Sequence, residues 1–416
     1  MKKLIYALLI AGLTSSQAWS LEVSSQGEFR LESRVFKNDG ADLTQDHGYG
    51  VFSRLEADVK SEKNQIKFKM SAVGRVGRKD SERDVFYFED AYLEKDFGDV
   101  QIFAGLRLVN WSTAEAFHPS DIINSRNFDT QFENAEKIGE PMLGFSSQHG
   151  DFGLQAFYMP ALRGPKFTSS QNRVSFFPAG INVAEEAFVD KSGETQEDWA
   201  SQWAVKSTMS KWGGDWSLYW VHHFDRSQPV MNIVSPAEAV PVFVEMDQIG
   251  LNLQQQVSDF MVKLELAHRV FDENLVSDDF GVLPYKSHSL LAGGLEYIYG
   301  WDSGSETTFL LEAQFAEGLG RADRQVVNIF QRDALLGFRH AFNDASSKEI
   351  FVMAIADLEI SKQLMVSVSY AQRLKSEWKV KVGGRYVDAP TDQLINMDLR
   401  TFNQDHQLYF ELSRFF

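Results

Sequence analysis

The sequence predicts an all-β fold: a transmembrane antiparallel β-barrel of about 18 strands, with short turns at one end and longer loops at the other. Three observations predict it. Apolar and charged side chains alternate with a period of two through nearly the whole chain. Short turns alternate with longer polar connections. The chain finishes Gln407-Leu408-Tyr409-Phe410-Glu411-Leu412-Ser413-Arg414-Phe415-Phe416, one more alternating strand closed by an aromatic residue.

The N-terminal residues carry the marks of an export signal. Lys2 and Lys3 precede an apolar run, Leu4 to Leu13, and Ala18-Trp19-Ser20 offers a small-x-small cleavage site. Residues 1–20 are therefore expected to be a cleaved signal peptide, with 21–416 a single barrel domain. The apolar run is too short for a membrane helix, which needs about 20 residues. Losing Lys2 and Lys3 takes the formal charge from −17 to −19. No basic stretch accompanies that acidity, so nucleic acid is not an expected partner. The absence of cysteine excludes disulfides, thiolate metal sites and cysteine nucleophiles. Hydrophobic residues make up 44% of the chain, yet no later run approaches 18 apolar residues, so they are spread rather than blocked.

The strands follow in order. Gly27 to Phe36 sets Phe29, Leu31 and Val35 against Glu28, Arg30, Glu32 and Arg34. Val51 to Lys60 sets Val51, Leu55 and Val59 against Arg54, Glu56 and Asp58. Gln65 to Val76 sets Ile66, Phe68 and Met70 against Lys67, Lys69 and Arg75. A helix repeats every 3.6 residues and does not sustain this pattern. Segments of roughly ten residues with one apolar and one charged face match membrane-crossing strands. Short turns are expected at 61–64, 97–99, 149–151, 212–215, 257–259, 300–304, 343–347 and 374–376. Connections of mostly greater length fall near 37–47, 78–83, 111–140, 161–197, 225–240, 272–286, 317–328, 359–362 and 388–403. Alternating the two kinds closes at about 18 strands with both ends of the chain on the short-turn side. The strand at 141–149 and the brief connection at 359–362 are its weakest members, and losing one hairpin leaves about 16. Trp199, Trp203, Trp216, Trp220, Trp301 and Trp378 near strand ends suit aromatic girdles. The final strand, ending at Phe416, resembles the closing strand that the barrel assembly machinery reads in outer-membrane proteins. Lipid and lipopolysaccharide are then the expected surroundings.

The connection from Trp111 to Glu140 is the most distinctive. It is long and carries Phe117, Ile122, Ile123 and Phe128, apolar residues that a solvated loop does not need. It is expected to fold into the barrel mouth and narrow the lumen, with Trp111, Phe117, His118, Pro119, Asp121, Asn124, Arg126 and Phe128 as constriction or ligand candidates. The stretch Asp90-Ala91-Tyr92-Leu93, Val100 to Leu108, Asn110-Trp111, Pro119-x-Asp121-Ile122-Ile123-Asn124 and Pro141-Met142-Leu143 through Tyr158-Met159-Pro160 and Arg163 resembles a proteobacterial outer-membrane family known as domain of unknown function 1302, a porin-like group. The resemblance covers roughly residues 84–165. Ser112 stands where that family has Gly, and Ser125 where it has Pro. The resemblance implies an outer-membrane barrel, in some members associated with export or handling of hydrophobic molecules, and leaves the substrate open.

Closing the barrel brings the first and last strands together. Arg30, Arg34, Arg54, Lys67, Lys69, Arg75, Lys379, Lys381 and Arg385 are then expected to form a basic lumen wall, interspersed with Glu28, Glu32, Glu56, Asp58 and Glu411. Mixed charge across a hydrated pore favours small polar solutes. The expected function is passage of small solutes, with a transport route for hydrophobic or aromatic molecules, helped by a periplasmic or inner-membrane partner, as the alternative. A surface hydrolase is more remote. Asp46-His47, Asp278-Asp279 and Asp405-His406 are outer-loop acid or acid-histidine pairs, and His288-Ser289 lacks an orienting third residue. Asn38-Asp39-Gly40 is a turn signal, and Asp272-Glu273 with Asp278-Asp279 suits a solvated loop better than a cation. No cofactor or metal is expected.

Overall fold

A computed structural model describes residues 21–37, 47–78, 83–128, 135–167, 181–227, 230–235, 238–390, 399 and 406–416. The expected signal peptide, Asn38-Asp39-Gly40, Asp46 and Asp405 lie outside the described residues, as do 129–134 within the long connection.

Eighteen strands close into an antiparallel barrel in which every strand pairs with its neighbours in sequence. They are β1 Leu21–Phe36, β2 His47–Ser61, β3 Ile66–Arg78, β4 Val85–Asp96, β5 Val100–Arg107 and β6 Glu140–His149. There follow β7 Phe152–Ala161, β8 Trp199–Lys211, β9 Gly214–Phe224, β10 Glu238–Val257, β11 Phe260–Val270 and β12 His288–Gly300. The last are β13 Glu306–Glu317, β14 Arg332–Ala341, β15 Glu349–Asp357, β16 Leu364–Lys375, β17 Trp378–Asp388 and β18 Gln407–Phe415. The seam is β1 against β18, in register from Glu28↔Phe415 to Phe36↔Gln407. Closure leaves no sheet edge, the condition for placing strand backbone in hydrocarbon. The short turns fall where the alternation puts them, and the first strand begins at Leu21 rather than Gly27.

The two faces follow from the period of two. Phe29, Leu31, Leu55, Phe86, Leu93, Leu143, Leu218, Ile249 and Leu336 point outward and are exposed on the barrel wall. Trp203 and Trp220 lie outward toward the long-loop end, and Trp212 and Trp301 lie at the short-turn end, as a girdle requires. Phe416 stands on the seam, its ring against Gly27, where an added Cβ would sit 2.5 Å from the ring.

The inner face divides in two. On β4 to β11 Tyr92, Phe103, Met142, Phe157, Met159, Tyr219, Val221 and Met246 make a buried apolar cluster with Trp111, Ile122 and Ile123 of the long connection, set among inward polar groups such as Glu140, Gln248 and Glu265. On β17, β18 and β1 to β3 the face is largely charged, while β13 to β16 carry a second buried apolar group, Leu310, Leu335, Met353, Ile355 and Met365. At the long-loop end β10 runs on beyond the barrel, and Ala187–Val189 pairs with it in parallel, Phe188 stacking on Phe243 at 5.3 Å. A short helix of about two turns, α1 Arg321–Val327, follows β13 and leads to Phe330.

Candidate functional site

The long connection leaves the wall because β5 stops after eight residues. Gly105 in β5 has φ +133°, and a Cβ there would meet the Ala91 carbonyl at 2.3 Å. Asn124 then ties the two limbs of the excursion: it accepts from the Val109 N–H at 2.7 Å and donates to the carbonyls of Arg107 and Ile138 at 2.9 and 3.0 Å. Asp121 completes the tie with Arg126 at 2.6 Å and Lys137 at 2.7 Å. Burial raises the Asp121 pKa, but Arg126 and Lys137 outweigh it and hold the carboxyl below its ordinary range.

Two wall carboxylates hold the excursion in the lumen. Glu265 on β11 is fully buried. Its Oε1 accepts from Ser112 Oγ at 2.6 Å and the Thr113 N–H at 2.5 Å, with the Ala114 N–H at 3.0 Å. Its Oε2 accepts from the Ser120 N–H at 3.1 Å and Ser120 Oγ at 2.6 Å. One carboxylate thus grips both ends of the 112–120 bend. Glu312 on β13 accepts from the N–H groups of Glu115 and Ala116 at 2.7 and 3.0 Å. Hydrogen bonds to a charged acceptor contribute about 1.5–3 kcal/mol each. They satisfy backbone donors that would otherwise be buried without partners.

The rest of the excursion packs between these anchors. Trp111 lies against Phe157 and Tyr219, with ring centroids 5.9 and 5.5 Å away, and its Nε1 donates to Gln155 at 3.2 Å. The Pro119 carbonyl accepts from Gln248 at 3.0 Å. Arg226, buried with Glu140 at 3.1 Å, donates to the Ile123 carbonyl. Phe117 meets Phe330 edge-on at 5.4 Å, and Phe128 belongs to the same buried cluster. His118 Nδ1 is 2.8 Å from Ser112 Oγ. Ser112 gives its single proton to Glu265, so Nδ1 is the donor and Nε2 carries a bare lone pair with no partner among the described residues. Burial and the nearby cations Arg126 and Lys137 push the imidazole pKa down, against the pull of Asp121 and Glu265.

Opposite this filled side lies open space. A cavity of about 170 Å³ is lined by six cations, Arg30, Arg34, Arg75, Arg83, Lys381 and Arg385, and three carboxylates, Glu32, Glu136 and Glu411. A second, of about 220 Å³, shares Lys381, Arg385 and Tyr409 with it and reaches Glu115 and Ala116 at the tip of the excursion. The lumen is therefore eccentric, with an acidic tip facing a basic wall.

The nine residues expected in that wall are not equivalent. Arg30 lies 3.1 Å from Glu32 and 3.4 Å from Glu411, and Arg75 bridges Glu32 and Glu136 at 3.2 Å each. Lys381 and Arg385 line both cavities and Arg34 the first alone, whereas Arg54, Lys67 and Lys69 pair with Glu89, Asp58 and Asp90 outside both. Lys379 has no ion-pair partner among the described residues. The anchors Glu265 and Glu312 and the tip Glu115 escaped the sequence reading. For the two on strands the only signal was a carboxylate at an inward position, and that is common to any hydrated lumen. The His288-Ser289 pair comes apart: His288 is buried inward, while Ser289 faces outward and bonds His268 at 2.9 Å. Asp279 accepts from Thr195 at 2.6 Å.

No family model and no curated relative matches the chain. Solved structures do. Salmonella typhi OmpF, in a complex with daunomycin, matches at 9% identity over 95% of this chain and 97% of that one, with a TM-score of 0.50. Pseudomonas aeruginosa OccK3 (OpdO) matches at 11% identity over 94% and 96%, with a TM-score of 0.52. Pseudomonas aeruginosa OpdQ matches at 12% identity over 95% and 97%, with a TM-score of 0.51. At these identities the likeness carries the barrel fold.

Proposed function

We propose that this barrel is a porin-like channel of a Gram-negative outer membrane, passing small polar solutes and preferring anions. The observation that carries it is the eccentric lumen: an inward segment fills one side, and six cations against three carboxylates line the space left open. In a narrow hydrated passage bounded by low-dielectric walls, such an excess raises the local concentration of anions. The tip carboxylate Glu115, held by Lys263 at 3.0 Å, faces Lys381 and Arg385 and sets a transverse field that orients a passing dipole. The short-turn end, where Leu21 and Phe416 lie, is then periplasmic, and the long loops meet lipopolysaccharide. The motif residues between 84 and 165 support membership of the domain of unknown function 1302 group. A hydrolase reading gains nothing from His288 and Ser289, which face opposite sides of β12.

Reconstitution into planar bilayers under a potassium chloride gradient tests the proposal. The expected result is stepwise conductance with a reversal potential displaced toward chloride. Protein that inserts correctly and never conducts overturns the channel, and a reversal potential displaced toward potassium overturns the anion preference.

A further inference from the structure

The seam that removes the sheet edge from the membrane stops short of the start of β1. Strand β18 pairs with β1 from Glu28 to Phe36. One further pair follows, in which the Gly27 N–H donates to the Phe416 carbonyl and the Phe416 N–H to the Gly27 carbonyl. Before it, Leu21 to Gln26 pair with Ser61 to Glu56 of β2 on one side only. In an antiparallel ladder the N–H and C=O of one residue point the same way, and alternate residues point to opposite neighbours. Gly27 points toward β18, so Leu21, Val23 and Ser25 do too, onto an edge with no strand partner among the described residues. That overhang is about 20 Å of strand. Phe416 and Trp378, aromatics of the short-turn end, mark the last rung of the seam and the start of β17, so the overhang lies past the girdle, where water can reach its open donors. Glu22 to Gln26 are all exposed.

The edge has a definite chemistry on each face. Glu22, Ser24 and Gln26 share the inward face with Glu56 and Asp58 of β2. Asp58 has Lys67 at 3.4 Å, but Glu56 is met only by the Gln26 amide at 2.7 Å. Lys60 is the partner of Glu22 in register and stays outside ion-pair distance. Glu22 and Glu56 therefore have no cation partner among the described residues. On the outward face Val23 is 50% exposed and Phe416 65%. A strand added here would gain main-chain hydrogen bonds from Leu21, Val23 and Ser25, and its side chains would meet carboxylates on one face and Val23 and Phe416 on the other. A second copy of this chain would bring a second acidic edge, so like charge opposes self-pairing.

We infer that the overhang of β1 is a docking edge for an extended segment of a periplasmic protein in which basic residues alternate with apolar ones. Open edges are normally covered or blunted, because they template pairing with another chain. Here the unspent donors and acceptors give the affinity, and the unpaired Glu22 and Glu56 select the sign of the partner. The docked strand would extend the sheet beneath Phe416, beside the mouth of the barrel and clear of its lumen. Only the side of the membrane rests on the channel reading; the edge itself does not.

The test uses dye-labelled synthetic peptides and fluorescence anisotropy on the processed protein in detergent at low salt. The probe Lys-Val-Lys-Val-Lys-Val is expected to bind saturably, and Glu-Val-Glu-Val-Glu-Val at least about tenfold more weakly. Methylating alternate backbone nitrogens of the lysine probe should abolish binding, which separates strand pairing from attraction of charge alone. Val23→Pro removes an N–H that faces the open edge and leaves the β2 ladder intact, a position where an edge strand tolerates proline. That variant should keep its heat-dependent gel mobility and its conductance and lose the probe. Glu22→Gln should weaken binding of the lysine probe and narrow its lead over the glutamate probe. Absence of binding overturns the docking edge, as does binding that survives Val23→Pro or the methylated backbone. Equal binding of the two probes overturns the basic partner. The channel reading is judged by conductance, which none of these results alters.

Discussion

Replacing Glu265 by Gln should release the segment that fills the lumen. The carboxylate accepts from both ends of the 112–120 bend, through Ser112 and Thr113 on one oxygen and Ser120 on the other. An amide keeps one acceptor oxygen and turns an NH₂ toward the other set of donors. The retained bonds fall from charge-assisted to neutral strength, roughly 1 kcal/mol each, and the Ser120 N–H loses its acceptor at about 1–3 kcal/mol. The net loss is roughly 3 kcal/mol, which lowers the docking constant by about two orders of magnitude. Single-channel recording reads the result as a larger unitary conductance with added open-channel noise. Glu312→Gln, which deprives one of only two backbone donors, should give a smaller rise. Wild-type conductance and noise in Glu265→Gln would refute the argument that this carboxylate holds the constriction.

Charge reversal at Lys381 and Arg34 to Glu should move the reversal potential toward the cation, because both side chains line the open cavity; Lys67→Glu, outside it, should change it far less. Acid should loosen the inward segment. Docked His118 binds its proton more weakly than free imidazole, so docking is fully supported above the ordinary value of 6.5 and loses support as pH falls below it. Conductance should therefore rise on acidification, and His118→Gln should flatten that rise. Gly105→Ala combines a left-handed φ with a backbone contact at 2.3 Å and should cost several kcal/mol, seen as a lower temperature for loss of the compact gel mobility.

Strand periodicity and turn placement carried the architecture because both are local. Each inward residue of β1 to β3 is legible from its neighbours two positions away, and Ser61 to Asn64 or His149 to Asp151 declares a turn by itself. The excursion from Trp111 was legible as an oddity, through apolar residues in a long connection. Its anchors were not. Glu265 lies 153 positions from Ser112 and Glu312 lies 197 from Glu115, and nothing in the vicinity of either sets it apart from the carboxylates that merely face water. The parallel pairing of Ala187–Val189 with β10 escaped for the same reason. The basic wall was half legible: seam geometry joins β1 to β17 and β18, but whether a cation faces open space or a carboxylate depends on cross-strand partners such as Asp90 for Lys69.

The seam also dictates an order of assembly. Seventeen of the strand pairings join consecutive strands, most through brief connections, and each can form as soon as its hairpin exists. The remaining one unites β1 with β18, where Arg30 meets Glu411 across 381 positions and Glu28 meets Ser413 across 385. Local hairpins lose little chain entropy, while the seam has to wait for every residue between its halves. Until it forms, the nascent sheet has two open edges whose unpaired backbone can template the wrong partner. Those edges meet only when the final strand arrives, and the Phe416 ring over Gly27 belongs to that late seam.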